Sequence, residues 1–282
     1  MIKINRFFIP YIVVIILIGF GYDFLVAFFW IFLHEISHFI VATNCGIEDI
    51  KLNIIPMGTY VESQRFDEAK PREDMIISLA GPMFNITMSI ILYQLNKYIP
   101  MEILKKSFDA NLILGIFNML PAFPLDGARI LRAILSRKTM YKRANKITVR
   151  CSLITGVTLL GCFIFLWIFN RFNISLGLIA LLIIFISFRE KERIVYIIMG
   201  DIIRKKNRFM KDSYIENKSI SVYYKKDLIT LLGLVDKNKY NLFTILDDDM
   251  KIIDTINEHE VLEGLKSYGN LTIEEFTKMK KL

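Results

Sequence analysis

A short run of this sequence, His34-Glu35-Ile36-Ser37-His38, has the residue types and spacing of a hydrolytic metal centre. Residues four apart share one face of a helix, so both imidazoles reach toward a single ion, and such a pair of ring nitrogens suits Zn²⁺. Glu35 lies about 100° round the helix from His34. It stands off the ligand face yet close enough to take a proton from water as a general base. The chain holds only three histidines, the third being His259, which makes a chance HExxH rarer than in an average composition.

Catalytic zinc takes three protein ligands and leaves a fourth position open, so a further ligand is needed. Glu35 and Asp126 are the two carboxylates expected deep within apolar blocks, where an ionised group costs several kcal/mol unless it is paired or coordinated. Asp126 belongs to Asn118-Met119-Leu120-Pro121-Ala122-Phe123-Pro124-Leu125-Asp126-Gly127. Two prolines and a glycine interrupt a span there, which is tolerated at membrane depth where the broken backbone lines a protein-buried or wet cavity. Depth agrees: His34 and Asp126 each fall about nine residues before the same end of their blocks, roughly 10 to 15 Å below one surface. The competing reading makes Asp126 the cap of a helix restarting at Gly127; beside HExxH, a ligand role is expected.

The elements that must position these groups belong in a bilayer. The 282 residues are 54% hydrophobic with a mean hydropathy of +0.42, and the apolar residues fall in blocks at 7–21, 24–43, 75–95, 107–135, 151–169 and 174–188. Measured against a hydrocarbon core of about 30 Å, these predict six transmembrane helices, with four as the alternative count. The start, MIKINR followed at once by apolar residues, reads as a retained first span, since no small-residue cleavage site follows. Residues 1–188 carry 18 basic and 12 acidic residues, and 189–282 carry 18 and 16 in half the length. This divides the chain into a membrane domain, 1–188, and a soluble domain, 189–282. Lys3, Arg6, Lys51, Arg65, Lys70, Arg72 and the basic residues between Arg137 and Arg150 flank one side of the blocks, so both termini are expected in the cytoplasm. That placement also accounts for the net charge of +8 without nucleic acid. Alternating residues between 46 and 71 predict short strands in a hairpin. Cys45, Cys151 and Cys162 are widely spaced and read as packing residues.

HEISH, the GPxxN sequence Gly81-Pro82-Met83-Phe84-Asn85, and the NxxPxxPLDG run from Asn118 together resemble the site-2 protease family of intramembrane zinc metalloproteases, over about 27–132. In size, order and tail the chain resembles the sporulation branch of that family, whose members mature a sigma-factor precursor. The resemblance implies that His34, His38 and Asp126 ligate one Zn²⁺, that Glu35 is the catalytic base, and that Asn118 lines the active site to orient substrate or stabilise an oxyanion. Gly81, Pro82 and Asn85 read as close helix packing with one polar contact. Where relatives often have two glycines this chain has Gly127-Ala128, a small change.

The tail is expected to hold an amphipathic helix at 226–236, a strand at 241–246, a turn at 247–249, a strand at 250–254 and a helix at 258–268. This order resembles a single cystathionine-beta-synthase module, implying an adenine nucleotide such as ATP and, since such modules pair, a homo-oligomer; a substrate-docking domain is the alternative. The expected whole is an α-helical polytopic membrane protein with a small C-terminal cytoplasmic α/β domain. Its expected partners are the lipid bilayer, a membrane-associated protein substrate such as a sigma-factor precursor, and membrane-bound inhibitory regulators. If the sporulation resemblance holds, it sits on the mother-cell side of the outer forespore membrane. A metal transporter using His34, His38 and Asp126 as a transit site is the alternative function, and it leaves Glu35 and the broken span without a role. A non-catalytic adaptor leaves the intact HEISH unexplained.

Overall fold

The computed structural model describes residues 2–4, 10, 17, 21–47, 50–55, 58–62, 69–169, 174–237 and 239–280. The chain divides into two compact units, residues 1–134 with 147–188, and residues 135–146 with 189–282.

In the first unit, α1 (Gly21–Asn44), α2 (Pro71–Tyr98) and α3 (Glu102–Asn118) pack on one another, followed by α4 (Asp126–Ser136), α5 (Tyr141–Ile168) and the start of α6 (Ile174–Asp212). Among the described residues α1, α2 and α5 are the helices long and apolar enough to cross a membrane. The block at 7–21 lies outside the described residues apart from Pro10, Leu17 and Gly21. The block at 107–135 is interrupted where expected, into two helices, because Pro121 and Pro124 cannot continue the ladder. The block at 174–188 is the opening of a helix that runs unbroken to Asp212.

α2 starts with Pro71 at its first position, where the missing N–H has no partner to lose, and Glu73 accepts the Lys70 N–H at 3.0 Å. Its inward stripe is largely polar: Asp74, Ser78, Gly81, Asn85 and Ser89 recur every three or four residues beside Ile77 and Leu92, while Met83, Ile90 and Ile91 face outward. A soluble helix shows the reverse arrangement. Gly115 lets α3 approach closely, since a Cβ there would fall 2.9 Å from Ile86 Cγ1. The expected hairpin is β2 (Lys51–Ile55) with β3 (Gly58–Glu62), antiparallel. β1 (Ile2–Ile4), not anticipated, pairs parallel with β2.

The second unit contains a three-stranded sheet, β4 (Asn217–Tyr223), β5 (Tyr240–Leu246) and β6 (Ile252–Asn257), in the order β4-β5-β6 with β4 parallel and β6 antiparallel to β5. α7 (Leu228–Leu232) links the parallel pair, and α8 (Glu258–Tyr268) and α9 (Ile273–Lys280) follow. The core joins Ile194, Ile197, Ile198 and Ile202 of α6 to Phe243, Ile245, Ile256 and Val261. α7 is shorter than the helix expected at 226–236. β6 begins later than expected, because Asp247 Oδ1 accepts the N–H groups of Asp249 and Lys251 and holds Met250 in the turn at φ 59°. Lys205 is buried in this unit, its Nζ donating to Glu258 Oε2 at 2.8 Å and the Asp236 carbonyl at 3.1 Å, with Asp201 Oδ2 at 3.3 Å. Asn241 donates to the same Glu258 oxygen through its backbone N–H and its Nδ2.

Candidate metal centre

His34 and His38 lie one turn apart on α1 and point inward, only 4% and 5% exposed. Their Nε2 atoms are 3.1 Å apart. Asp126, the first residue of α4, brings Oδ2 to 3.2 Å from His34 Nε2 and 3.1 Å from His38 Nε2. Among the described residues this is the one group of three side chains placed to hold a metal ion. A tetrahedral site with bonds of about 2.0 Å has ligand-to-ligand edges of about 3.3 Å. The triangle therefore has the size to take Zn²⁺ and leave a fourth corner for water.

The protonation pattern points the same way. His38 Nδ1 lies 2.7 Å from the Ile77 carbonyl, which only accepts, so Nδ1 carries the proton and Nε2 offers a lone pair. His34 Nδ1 donates to Asn85 Oδ1 at 2.5 Å with the same consequence. Two imidazole lone pairs and a carboxylate oxygen thus converge with no proton between them. A buried cation relieves that repulsion, and these neutral-imidazole and carboxylate donors fit Zn²⁺.

Local structure explains how each ligand is held. Gly81 makes room for the rings, since a Cβ there would fall 2.5 Å from His34 Cε1 and 2.6 Å from His34 Nε2. Asp126 follows a turn in which the Ala122 N–H bonds the Leu120 carbonyl and the Leu125 N–H bonds the Ala122 carbonyl, both at 2.8 Å. The turn is tied down where Ser152 Oγ of α5 accepts the Phe123 N–H at 2.8 Å; that hydroxyl bonds Ser187 Oγ, which donates to the Ile183 carbonyl. A side chain at residue 127 would collide with the backbone of Met119 and Leu120, which accounts for Gly127. Arg129, one turn beyond Asp126, donates to Asp74 Oδ1 at 2.8 Å and ties α4 to α2.

The structure thus brings His34, His38 and Asp126 together. Glu35 neighbours this group on α1, part-exposed and outside the ligand triangle. Asn118 stands half-buried on the last turn of α3, its Nδ2 donating to its own helix at the Leu114 carbonyl, 3.1 Å away. Gly81 and Asn85, read from sequence as helix packing with one polar contact, do pack closely, Gly81 against the imidazoles, and Asn85 makes two polar contacts, with His34 and with Asn111. A buried asparagine in an apolar block was the available signal.

Comparison with known proteins matches residues 23–110 and 95–159 to the model of peptidase family M50. The chain is also 30% identical to the site-2 protease from Methanocaldococcus jannaschii, superposing with a TM-score of 0.51 over 67% of this chain and 90% of that one. The chain belongs to peptidase family M50. Its matched residues contain His34, His38 and Asp126. Within the family it is 31% identical over 177 residues to a zinc metalloprotease of M. jannaschii, covering 61% of this chain and 50% of that protein. It is 24% identical over 138 residues to stage IV sporulation protein FB of Bacillus subtilis, covering 48% and 47%. The chain spans about half the length of these curated relatives, and the second unit's sheet lies beyond the M50 match.

Proposed function

We propose that this M50 protein is an intramembrane zinc metalloprotease that cleaves a membrane-associated protein segment, with His34, His38 and Asp126 holding one Zn²⁺ and Glu35 as the base. The observation that carries the reading is the convergence of two imidazole lone pairs and one carboxylate oxygen within 3.2 Å, on three buried side chains, beside Glu35. Bound zinc supplies Lewis acidity toward water and a scissile carbonyl. Glu35 takes the proton from water and later delivers it to the leaving amine. Asn118, near the end of the broken span, orients the substrate. A helical substrate must unwind before its peptide bond is reached, and the β2–β3 sheet offers a strand for an extended segment to pair with.

Six membrane crossings, with both termini cytoplasmic, belong to this reading; the basic residues around Lys51 to Arg72 and Arg137 to Arg150 support the orientation. A sigma-factor precursor as substrate, membrane-bound inhibitory regulators and a place in the outer forespore membrane follow from the resemblance to the sporulation branch, which the similarity to stage IV sporulation protein FB supports. The strand-helix-strand-strand-helix order of β4 to α8 supports a cystathionine-beta-synthase-like tail that binds an adenine nucleotide and pairs with a second copy. Co-expression with a sigma-factor precursor, following product size with and without a zinc chelator, tests the activity. A shortened product that the chelator abolishes is expected, and chelator-insensitive cleavage contradicts the zinc reading. Calorimetry of the full chain with ATP, ADP and AMP tests the tail; absence of heat with all three returns it to a docking role.

A further inference from the structure

We propose that Asn111 is a positioning residue of the metal centre, selecting the ligating form of His34 through Asn85. The inference rests on the zinc reading of that site. Three hydrogen bonds form one directed chain: Asn111 Nδ2 donates to the Ser107 carbonyl at 2.8 Å, Asn85 Nδ2 donates to Asn111 Oδ1 at 2.8 Å, and His34 Nδ1 donates to Asn85 Oδ1 at 2.5 Å. The two ends of an asparagine amide are nearly identical in shape, and only their partners distinguish them. A backbone carbonyl accepts and never donates, so Ser107 fixes the amide of Asn111 with its NH₂ toward α3 and its oxygen toward α2. Asn85 must then turn its NH₂ to Asn111 and its oxygen to His34.

That direction matters at the far end. A flipped Asn85 would offer its NH₂ to His34 Nδ1 and move the imidazole proton to Nε2, the atom that faces Asp126 Oδ2 and His38 Nε2. A protonated Nε2 cannot ligate a metal. Water cannot correct the error, because Asn85 and Asn111 are both 0% exposed and Ser107 is 6% exposed. Outer partners of ligating histidines act in this way, by fixing tautomer and ring orientation. Asn111 acts one step further out, with the Ser107 carbonyl as the fixed end of the chain.

The test measures zinc affinity of the full-length detergent-solubilised protein by competition with a chromophoric chelator, together with the ¹⁵N shifts of the His34 ring in metal-stripped protein. Asn111→Leu keeps the branched heavy-atom shape and is larger, whereas Asn111→Ala is smaller; both remove the amide. Each is expected to weaken zinc binding by about 10-fold and to change the His34 ring from a single Nδ1–H tautomer to a mixture. Asn85→Leu combined with Asn111→Leu is expected to bind no more weakly than Asn85→Leu alone, because the effect passes through Asn85. Wild-type affinity in a folded Asn111 variant overturns the proposal. Additive losses in the double variant also overturn it, as does unfolding of both Asn111 variants while Asn85→Leu folds, since Asn111 would then serve the α2–α3 packing alone. A wild-type protein that binds no zinc removes the zinc reading itself and is recognised by that result.

Discussion

Replacing Gly81 by alanine adds one carbon atom at the centre of the site. Its ideal position lies 2.6 Å from His34 Nε2, whereas non-bonded heavy atoms settle at about 3.5 Å, so the ring must retreat by about 0.9 Å. Neither imidazole can do so cheaply. His38 is held by the Ile77 carbonyl, four residues before Gly81 on the same helix, and His34 by Asn85, four residues after it. A metal site tolerates errors of about 0.2 Å in ligand distance, so zinc affinity is expected to fall at least about 100-fold, or about 3 kcal/mol. A misplacement of about 1 Å costs catalysis a factor of about 100 as well. The helix should not be harmed, since alanine is favoured over glycine in a helix interior by about 1 kcal/mol. Chelator competition, peptide cleavage and helical circular dichroism on Gly81→Ala separate these effects. Zinc affinity within about threefold of wild type would refute the packing argument.

Asp126→Ala is expected to lose stoichiometric zinc, because two imidazoles alone leave the ion short of ligands; metal analysis showing one zinc per chain would remove Asp126 from the set. Lys205→Ala leaves Asp201 and Glu258 buried without their cation and is expected to destabilise the second unit by about 3 to 5 kcal/mol, read as faster limited proteolysis within 189–282; wild-type resistance would count against the buried ion pair. Reporter fusions at Lys138 and Tyr98 are expected to lie on opposite sides of the membrane, and same-side signals would require the spans to be redrawn.

The cluster of His34, His38 and Asp126 was legible in the sequence because each broke a local rule: two histidines and a carboxylate occur where lipid demands apolar residues, and a helix breaks where prolines interrupt a span. What Gly81, Asn85 and Asn111 face was not legible, since Gly81 and Asn85 of α2 meet the α1 imidazoles and Asn111 of α3 meets Asn85, contacts that no helical period reveals. Lys205 was hidden differently. In the run Arg204-Lys205-Lys206 it reads as one more solvated charge, yet its side chain is 2% exposed and anchors a core. β4 and α9 went unanticipated because their patterns are short. In β4, inward Val222 is the one fully buried residue among seven, too weak an alternation to mark a strand by itself. The elements of the tail with stronger signals, β5 with its alternating burial and α8 with its Asn257–Glu260 capping box, fall where the sequence places them.

The central claim, that this zinc site cuts peptide bonds with Glu35 as the base, is tested most directly by Glu35→Gln. Glutamine keeps the shape of the side chain and cannot accept the proton, while all three ligands remain. Purified Glu35→Gln protein is predicted to retain one zinc per chain and to lose cleavage of its substrate by at least about 100-fold. Near wild-type cleavage by the zinc-loaded variant would contradict the mechanism.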